Sequence, residues 1–243
     1  MKSLVPKLLA LPLLLLVTAA NAPAPAKNQT ANNGVAKNPG SENRAATRPP
    51  VAEVVAQLQK NYDSMGALRA KFSQVLSGPM GRRQAQGIVS LKKPGKMRWD
   101  YEKPEKKLFV ADGVTLWVYE PEDEQAYKQP LNSSQLPAQV SFLFGRGRLH
   151  DEFEVTYHDE PGLGQAGEVV LRLLPKVASA QYRHLLFVVD PKTFLVKETV
   201  LFDQQGGKNH LAFSSVEANP KTGVDDSRFS FSPPPDTKII TPR

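Results

Sequence analysis

The chain has 243 residues, no cysteine and a formal charge of +7, from 31 Lys and Arg against 24 Asp and Glu. Without cysteine it forms no disulfide bonds, and it cannot carry the acylated N-terminal cysteine of a lipoprotein. Most of the excess charge lies in the first 50 residues, and the chain from residue 51 onward carries only about +2. The basic composition is therefore weak evidence for a nucleic-acid partner.

The first 20 residues have the pattern of a secretory signal peptide. Lys2 and Lys7 form a charged start, residues 8–17 are apolar, and Ala20 ends a small-residue cleavage site. The apolar run is too short for a bilayer of ~30 Å, which needs about 20 residues. We expect export, cleavage after Ala20 and a soluble exported protein.

Residues 21–50 differ in composition from the rest of the chain. They are rich in Ala, Pro, Asn and Lys and have almost no large apolar side chains. Such a segment buries too little surface to order itself, which predicts a disordered tail. Residues 51–243 then have a length that suits one domain.

The predicted domain opens with a helix and a strand. Apolar residues at helical spacing predict an amphipathic helix that follows Pro50 and ends before Gly66: Val51, Val54, Val55, Leu58 and Tyr62. Alternating apolar and polar residues over 68–76 predict a half-buried strand.

Residues 87–126 contain four short apolar and aromatic runs separated by Pro or Gly turns, the pattern of an antiparallel meander. Val89, Leu91 and Lys93 share one strand face. One face of the next strand holds Met97, Trp99 and Tyr101. Both a filled core and a lipid cavity explain these faces, because small barrels can be built either way.

A second helix is predicted after residue 130. Leu136, Val140, Leu143 and Phe144 recur at helical spacing, and Gly145 ends the run. This helix has one strongly apolar face, which again suits either a core or a cavity.

Five further strands are predicted over residues 153–157, 169–173, 184–189, 194–202 and 211–216. Phe229 and Phe231, before three prolines, suggest a last short edge strand. About ten strands and two helices indicate a barrel or a strongly curved sheet with helices at its mouth.

Motifs for catalysis are weak. Residues 162–167 match G-x-G-x-x-G, but a strand pattern follows where a nucleotide site needs a helix, which favours a hairpin loop. The four histidines lack metal-ligand spacing, and no nucleophile elbow is present. A triad of scattered residues stays open, because triads are recognised by geometry. We expect no enzyme activity, no cofactor and no metal.

Residues 92–107 combine seven Lys and Arg with Trp99 and Tyr101, a composition that can bind single-stranded nucleic acid. The strict alternation of residues 96–101 favours a strand with a basic polar face instead. Together with the export signal, this argues against nucleic acid as a partner.

The sequence of the meander resembles a known family, the periplasmic carriers of outer-membrane lipoproteins (the LolA type). The resemblance spans about residues 51–233 and is densest over residues 87–126. It is carried by Gly87, Lys92-Lys93-Pro94, Trp99, Asp112-Gly113, Thr115-Leu116-Trp117, Tyr119, Pro121 and Glu124-Gln125-Ala126. It implies a mainly β fold, an unclosed antiparallel β-barrel with a helical lid over a hydrophobic cavity.

The resemblance also implies a function. Such a carrier is a periplasmic chaperone that takes acylated lipoproteins from an inner-membrane ABC transporter and passes them to an outer-membrane acceptor, here as a monomer. The lipid-binding residues would be Val89, Leu91, Met97, Trp99, Tyr101, Leu136, Val140, Leu143 and Phe144.

One residue departs from the family pattern. Lys93 stands where the family has an arginine that helps to hold the lid, and lysine keeps the charge but loses the forked geometry. The alternative function is a periplasmic lipid- or lipoprotein-sensing regulatory module of the same fold, although such regulators usually carry a second domain.

Overall fold

The computed structural model describes residues 48–131, 142–143, 147–159 and 162–241. The predicted signal peptide and most of the predicted tail lie outside the described residues. So does most of the second predicted helix, including Leu136, Val140 and Phe144.

Two α-helices lie entirely within the described residues, α1 (Val51–Ser64) and α2 (Leu149–Glu152), and residues 142–143 are also helical. None of the helices in these ranges is long and apolar enough to cross a membrane. Two 3-10 turns cover Pro121–Asp123 and Asp226–Phe229. The strands are β1 Ala67–Gly78, β2 Gly81–Lys92, β3 Lys96–Lys103, β4 Lys107–Asp112, β5 Thr115–Glu120, β6 Gln125–Pro130, β7 Phe153–Tyr157, β8 Val169–Pro175, β9 Tyr182–Val189, β10 Val196–Asp203, β11 Lys208–Ala218 and β12 Lys238–Ile240.

All of these strands belong to one sheet, in the order β12-β6-β5-β4-β3-β2-β1-β11-β10-β9-β8-β7. The neighbouring pairs are antiparallel except β12 and β6, which run parallel. Within the described part of the chain the sheet stays open, because the edge strands β12 and β7 each pair on one side only. The prediction of an unclosed, mainly antiparallel half-barrel is confirmed.

Alternation of side chains gives the sheet an inner and an outer face. The inner face carries the main apolar cluster, in which residues from all parts of the sheet pack together, for example Met97, Leu116, Phe187 and Leu211. Helix α1 lies against this face and buries one stripe: Val54, Val55, Leu58 and Tyr62. The stripe is the one that the sequence predicted.

Most predicted elements are confirmed, and one is wrong. The strand at Phe153–Tyr157 has the predicted bounds, and residues 162–167 lie in the connection between the antiparallel strands β7 and β8. The predicted edge strand at Phe229 and Phe231 does not form, because Phe229 ends a 3-10 turn and the last strand is Lys238–Ile240.

The C-terminal segment instead crosses the outer face of the sheet. Arg228 Nη2 donates to Asp100 Oδ2 at 2.9 Å, and Asp100 points outward from β3. The Phe231 ring lies 5.7 Å from Trp117 and 5.3 Å from Tyr119, centroid to centroid. These contacts bring the chain end to the edge of β6, where β12 pairs.

Candidate functional site

The candidate site is the part of the inner face built by β2 and β3. Val89 lies directly opposite Trp99, and Leu91 lies opposite Met97. These four side chains are at most 5% exposed, so two neighbouring strands present one continuous apolar surface. Tyr101 lies next on the same face and packs against the same cluster.

Strand β1 adds an aromatic centre to this surface. The Phe72 ring packs edge-on against Trp99 at 4.8 Å and against Tyr101 at 4.9 Å. Each such aromatic pair adds about 0.5–1.5 kcal/mol beyond its buried area. From β11, Phe213 closes the group, 6.5 Å from Trp99.

Gly87 makes this arrangement possible. A β-carbon at this position would lie 1.9 Å from the Asp100 carbonyl oxygen and 3.0 Å from the Phe72 ring. Any side chain would therefore push β2 away from β3 or displace Phe72. This glycine is the first residue of the motif that carries the family resemblance.

A short polar chain interrupts the apolar inner face. The Tyr101 hydroxyl donates to Gln74 Oε1 at 3.0 Å, and Gln74 Nε2 donates to Asn209 Oδ1 at 3.0 Å. Burial raises the pKa of Tyr101, so its hydroxyl stays neutral at physiological pH. Every polar atom named here has a partner, which lowers the cost of burying it.

Helix α1 covers the inner face near the start of β1. Tyr62 is 1% exposed, and its hydroxyl accepts a hydrogen bond from the Val196 backbone N–H at 3.1 Å. The Tyr62 ring also lies 4.9 Å from Phe142. Asn61 Nδ2 donates to the carbonyl oxygens of Thr193 and Phe194, each at 3.0 Å. Polar contacts thus attach α1 to the loop before β10.

Lys93 lies in the turn just after β2, on the side where α1 ends. Its ammonium group donates to the carbonyl oxygens of Tyr62 and Asp63, the latter at 3.2 Å. These carbonyls belong to the last turn of α1, where the Tyr62 carbonyl oxygen also accepts the Met65 backbone N–H at 3.2 Å. A cation there also interacts favourably with the helix dipole.

Between α1 and the sheet lies a small void. Its volume is about 10 Å³, roughly enough for one water molecule. The lining is almost entirely apolar: Tyr62, Leu68, Ala70, Val89, Leu91, Leu143, Val196, Phe213 and Val216. Ligand sites usually have roughly 300–1,000 Å³, so the void would have to widen to hold an acyl chain.

The structure brings most of the predicted site residues together. Val89, Leu91, Met97, Trp99 and Leu143 lie in one buried cluster, with Tyr101 packed against it. The three other predicted lipid-binding residues, Leu136, Val140 and Phe144, lie outside the described residues.

Sequence reasoning missed the contributions of β1, β10 and β11. Phe72 and Phe213 lie at the centre of the aromatic group, and Val196 lines the void. The alternation of apolar and polar residues in these strands is visible in the sequence. Such alternation does not show which strands pair with one another. Pairing of β1 with β11 joins residues about 140 positions apart, with Phe72 opposite Phe213.

Comparison with known families identifies the class of protein. The profile of the family described as "Outer membrane lipoprotein carrier protein LolA" matches residues 63–232, well over half of the chain. The chain therefore belongs to the LolA family. This is a family of carriers and not of enzymes.

Curated relatives agree with this assignment. An outer-membrane lipoprotein carrier protein of Methylococcus capsulatus is 30% identical over 199 residues, which cover 80% of this chain and 88% of the relative. The protein of the same name from Chromobacterium violaceum is 26% identical over 194 residues, 79% of this chain and 90% of the relative.

A solved structure supports the fold. An uncharacterized conserved protein from Thermus thermophilus superposes with a TM-score of 0.50 at 13% identity. The match covers 79% of this chain and 99% of that chain. At this identity the likeness concerns the fold alone.

Proposed function

We propose that this protein is a periplasmic chaperone that binds the acyl chains of lipoproteins released from the inner membrane and delivers them to the outer membrane. The observation that carries the proposal is an apolar inner face, centred on Val89, Leu91 and Trp99, against which the amphipathic helix α1 packs, together with Phe142, Leu143 and Leu149. A helix is easier to displace than a second sheet, because its backbone hydrogen bonds are internal.

Acyl chains would take the place of α1 on this face. Opening exposes Val54, Val55, Leu58 and Tyr62, which are buried against the sheet. Fully exposing an apolar side chain costs about 1.5–3 kcal/mol, and each acyl CH₂ that enters gains about 0.8 kcal/mol. The ligand's gain is offset by the loss of α1 packing, so binding stays moderate and a better acceptor can remove the ligand.

In this proposal α1 is part of the lid, and Lys93 holds it shut. Its ammonium group joins the turn after β2 to the last turn of α1 through two carbonyl oxygens. A flexible lysine makes these contacts as a point charge, where a guanidinium would make them with a fixed fork. The lid of this chain should therefore open more readily than one held by arginine.

The remaining assignments follow from the task of a carrier. Residues 1–20 direct export and are removed, residues 21–50 form a tail, and residues 51–243 form the carrier domain. A carrier that binds acyl chains through burial alone has no energy source of its own, so loading needs a donor that spends energy. We assign this step to an inner-membrane ABC transporter, and unloading to an outer-membrane lipoprotein acceptor, with the carrier acting as a monomer.

Photocrosslinking in living cells tests the proposal. A photoreactive phenylalanine analogue replaces Trp99 on the inner face or Ser73, which is exposed on the outer face of β1. We expect crosslinks to acylated lipoproteins from position 99 and none above background from position 73. Equal lipoprotein crosslinking at both positions, or none at either, contradicts the carrier function. Capture of a membrane sensor protein instead would favour the regulatory module.

A further inference from the structure

Four neighbouring hairpins turn at the same end of the sheet. The strands are antiparallel, so every second connection lies at the same end of the sheet. In the order of the sheet these are the β3–β4, β1–β2, β10–β11 and β8–β9 connections. We call this end the far rim; it comprises residues 102–107, 78–83, 203–208 and 176–183. It lies opposite the end where Lys93 and the last turn of α1 meet.

Two hairpins of the far rim expose large apolar side chains at their tips. Met80 is 87% exposed in the β1–β2 turn, and Val177 is 83% exposed in the β8–β9 turn. Single exposed apolar residues are common and need no explanation. Here the two lie on the same rim, with one hairpin between them, and their surroundings are charged.

The charge of the far rim is mostly positive. Its exposed basic residues are Arg82, Arg83, Lys103, Lys106, Lys176, Arg183 and Lys208. The acids among the same residues are Glu102, Glu105 and Asp203, and the Asp203 carboxylate accepts backbone N–H bonds within its own turn. Acidic residues bound this basic stretch on both sides. The next hairpin, at residues 121–124, is acidic, and at the other end Asp151 and Glu152 of α2 lie beside Lys176, whose ammonium group donates to the His150 carbonyl oxygen. The chain from residue 51 carries only about +2 in total, so positive charge is concentrated here.

We infer that the far rim docks reversibly on an anionic phospholipid surface, with Met80 and Val177 entering the interface and the basic side chains facing the headgroups. Hairpin tips recur every second strand, about 10 Å apart, and the end of a barrel presents them together to a flat surface. Basic residues near an anionic bilayer each strengthen binding about fivefold, and inserted apolar side chains add to this. The inference does not depend on acyl-chain carriage, because it uses the opposite end of the sheet from the Lys93 contact with α1.

Vesicle co-sedimentation tests this surface with the exported form of the chain. One vesicle preparation contains phosphatidylcholine alone, and the other contains phosphatidylcholine with about one third phosphatidylglycerol. We expect binding to the anionic vesicles only, and its loss at high salt, because the Debye length falls to ~3 Å at 1 M.

Variants locate the binding to the far rim. Met80→Ser combined with Val177→Ser should lower the partition constant about tenfold. Arg82→Gln combined with Arg83→Gln should lower it about 25-fold, since each basic residue contributes about fivefold. Val114→Ser is the matched control, since Val114 is 75% exposed in the β4–β5 turn at the opposite end. The predicted tail is present in every variant, so its charge cancels from the comparison.

Two results overturn the inference. One is equal binding of the unaltered chain to neutral and anionic vesicles, or no binding to either. The other is binding to anionic vesicles that both far-rim pairs leave unchanged, or that Val114→Ser lowers as much as they do. Circular dichroism melting of each variant establishes that these exposed turns have been altered without unfolding the sheet.

Discussion

Lys93 and Lys92 are adjacent in sequence but act on opposite faces of the sheet. The Lys93 ammonium group donates to carbonyls in the last turn of α1, whereas the Lys92 ammonium group pairs with Asp226 at 2.7 Å on the outer face. Two lysines with the same charge thus make different contacts, which provides a controlled pair for mutation.

We expect Lys93→Met to loosen α1 and Lys92→Met to leave it in place. Hydrogen bonds to a charged donor contribute about 1.5–3 kcal/mol, so their loss should raise the population of the open state measurably. Fluorescence of a bis-anilinonaphthalene dye, which reports exposed apolar surface, should increase for Lys93→Met alone. Lys93→Arg should match or fall below the unaltered chain, because the guanidinium can bind both carbonyl oxygens.

The same dye signal for Lys92→Met and Lys93→Met would show that Lys93 does not hold α1. Equal signals for methionine, arginine and lysine at position 93 would lead to the same conclusion. The closed state would then depend on other contacts, such as those of Asn61 with the loop before β10.

At the level of single residues, the sequence predicted side-chain direction better than side-chain neighbours. Alternation placed Val89, Leu91, Met97 and Trp99 on one face, and this face is buried. Alternation could not predict that Phe72 lies against Trp99, because that contact depends on the pairing of whole strands.

At the scale of the elements, the residues that lead into helix α1 contact the edge strand β7 and the residues after it. The Arg48 guanidinium lies 4.7 Å from the Tyr157 ring centroid and forms an ion pair with Asp159 at 2.7 Å. The Tyr157 hydroxyl donates to the Pro49 carbonyl oxygen at 2.6 Å. These contacts attach the last residues of the predicted tail to the domain.

We expect a chain that begins at Arg48 to keep the thermal midpoint of the exported protein, because residues 21–47 have few apolar side chains to bury. A chain that begins at Val51 should melt about 3–6 °C lower. It loses an exposed ion pair, a cation–π contact and a hydrogen bond, together worth about 1–2 kcal/mol.

The measurement is the thermal midpoint, by calorimetry, of the exported protein and of the chains that begin at Arg48 and at Val51. A drop of several degrees on removal of residues 21–47 would show that the tail docks on the domain. Identical midpoints for the chains that begin at Arg48 and at Val51 would show that the contacts to Tyr157 and Asp159 add no stability.

The prediction of secondary structure was wrong where the sequence pattern is compatible with two structures. Phe229 and Phe231 alternate like a strand, but the segment around them makes its contacts through side chains on the outer face, including Phe231 with Trp117. The terminal strand Lys238–Ile240 has only three residues and pairs in parallel with β6, so no local signal marks it. Strand β2 begins at Gly81, well before its apolar run, because the β1–β2 hairpin extends as a ladder beyond the buried part.

At the scale of the whole molecule, one open sheet presents an apolar inner face against which helix α1, Phe142, Leu143 and Leu149 pack. The void next to Leu91 and Leu143 in the described interior has a volume of only about 10 Å³. A carrier of acyl chains must therefore open, and the movable part must be the cover, because the strands are fixed by continuous ladders. This is the central claim of the proposed function.

A reversible lock on α1 tests that claim. Asn61 and Thr193 are close, since Asn61 Nδ2 donates to the Thr193 carbonyl oxygen at 3.0 Å. The chain has no cysteine of its own, so Asn61→Cys with Thr193→Cys places the only two thiols across this contact. The control is Thr156→Cys with Arg172→Cys, which lie opposite each other in the paired strands β7 and β8.

The measurement is the uptake of a purified tri-acylated lipoprotein by each oxidised variant and again after reduction. We predict that the oxidised Asn61–Thr193 lock blocks uptake, that reduction restores it, and that the control disulfide has no effect in either state. Uptake by the locked protein at the rate of the reduced protein would contradict the account, because acyl chains would then reach their site without displacement of α1.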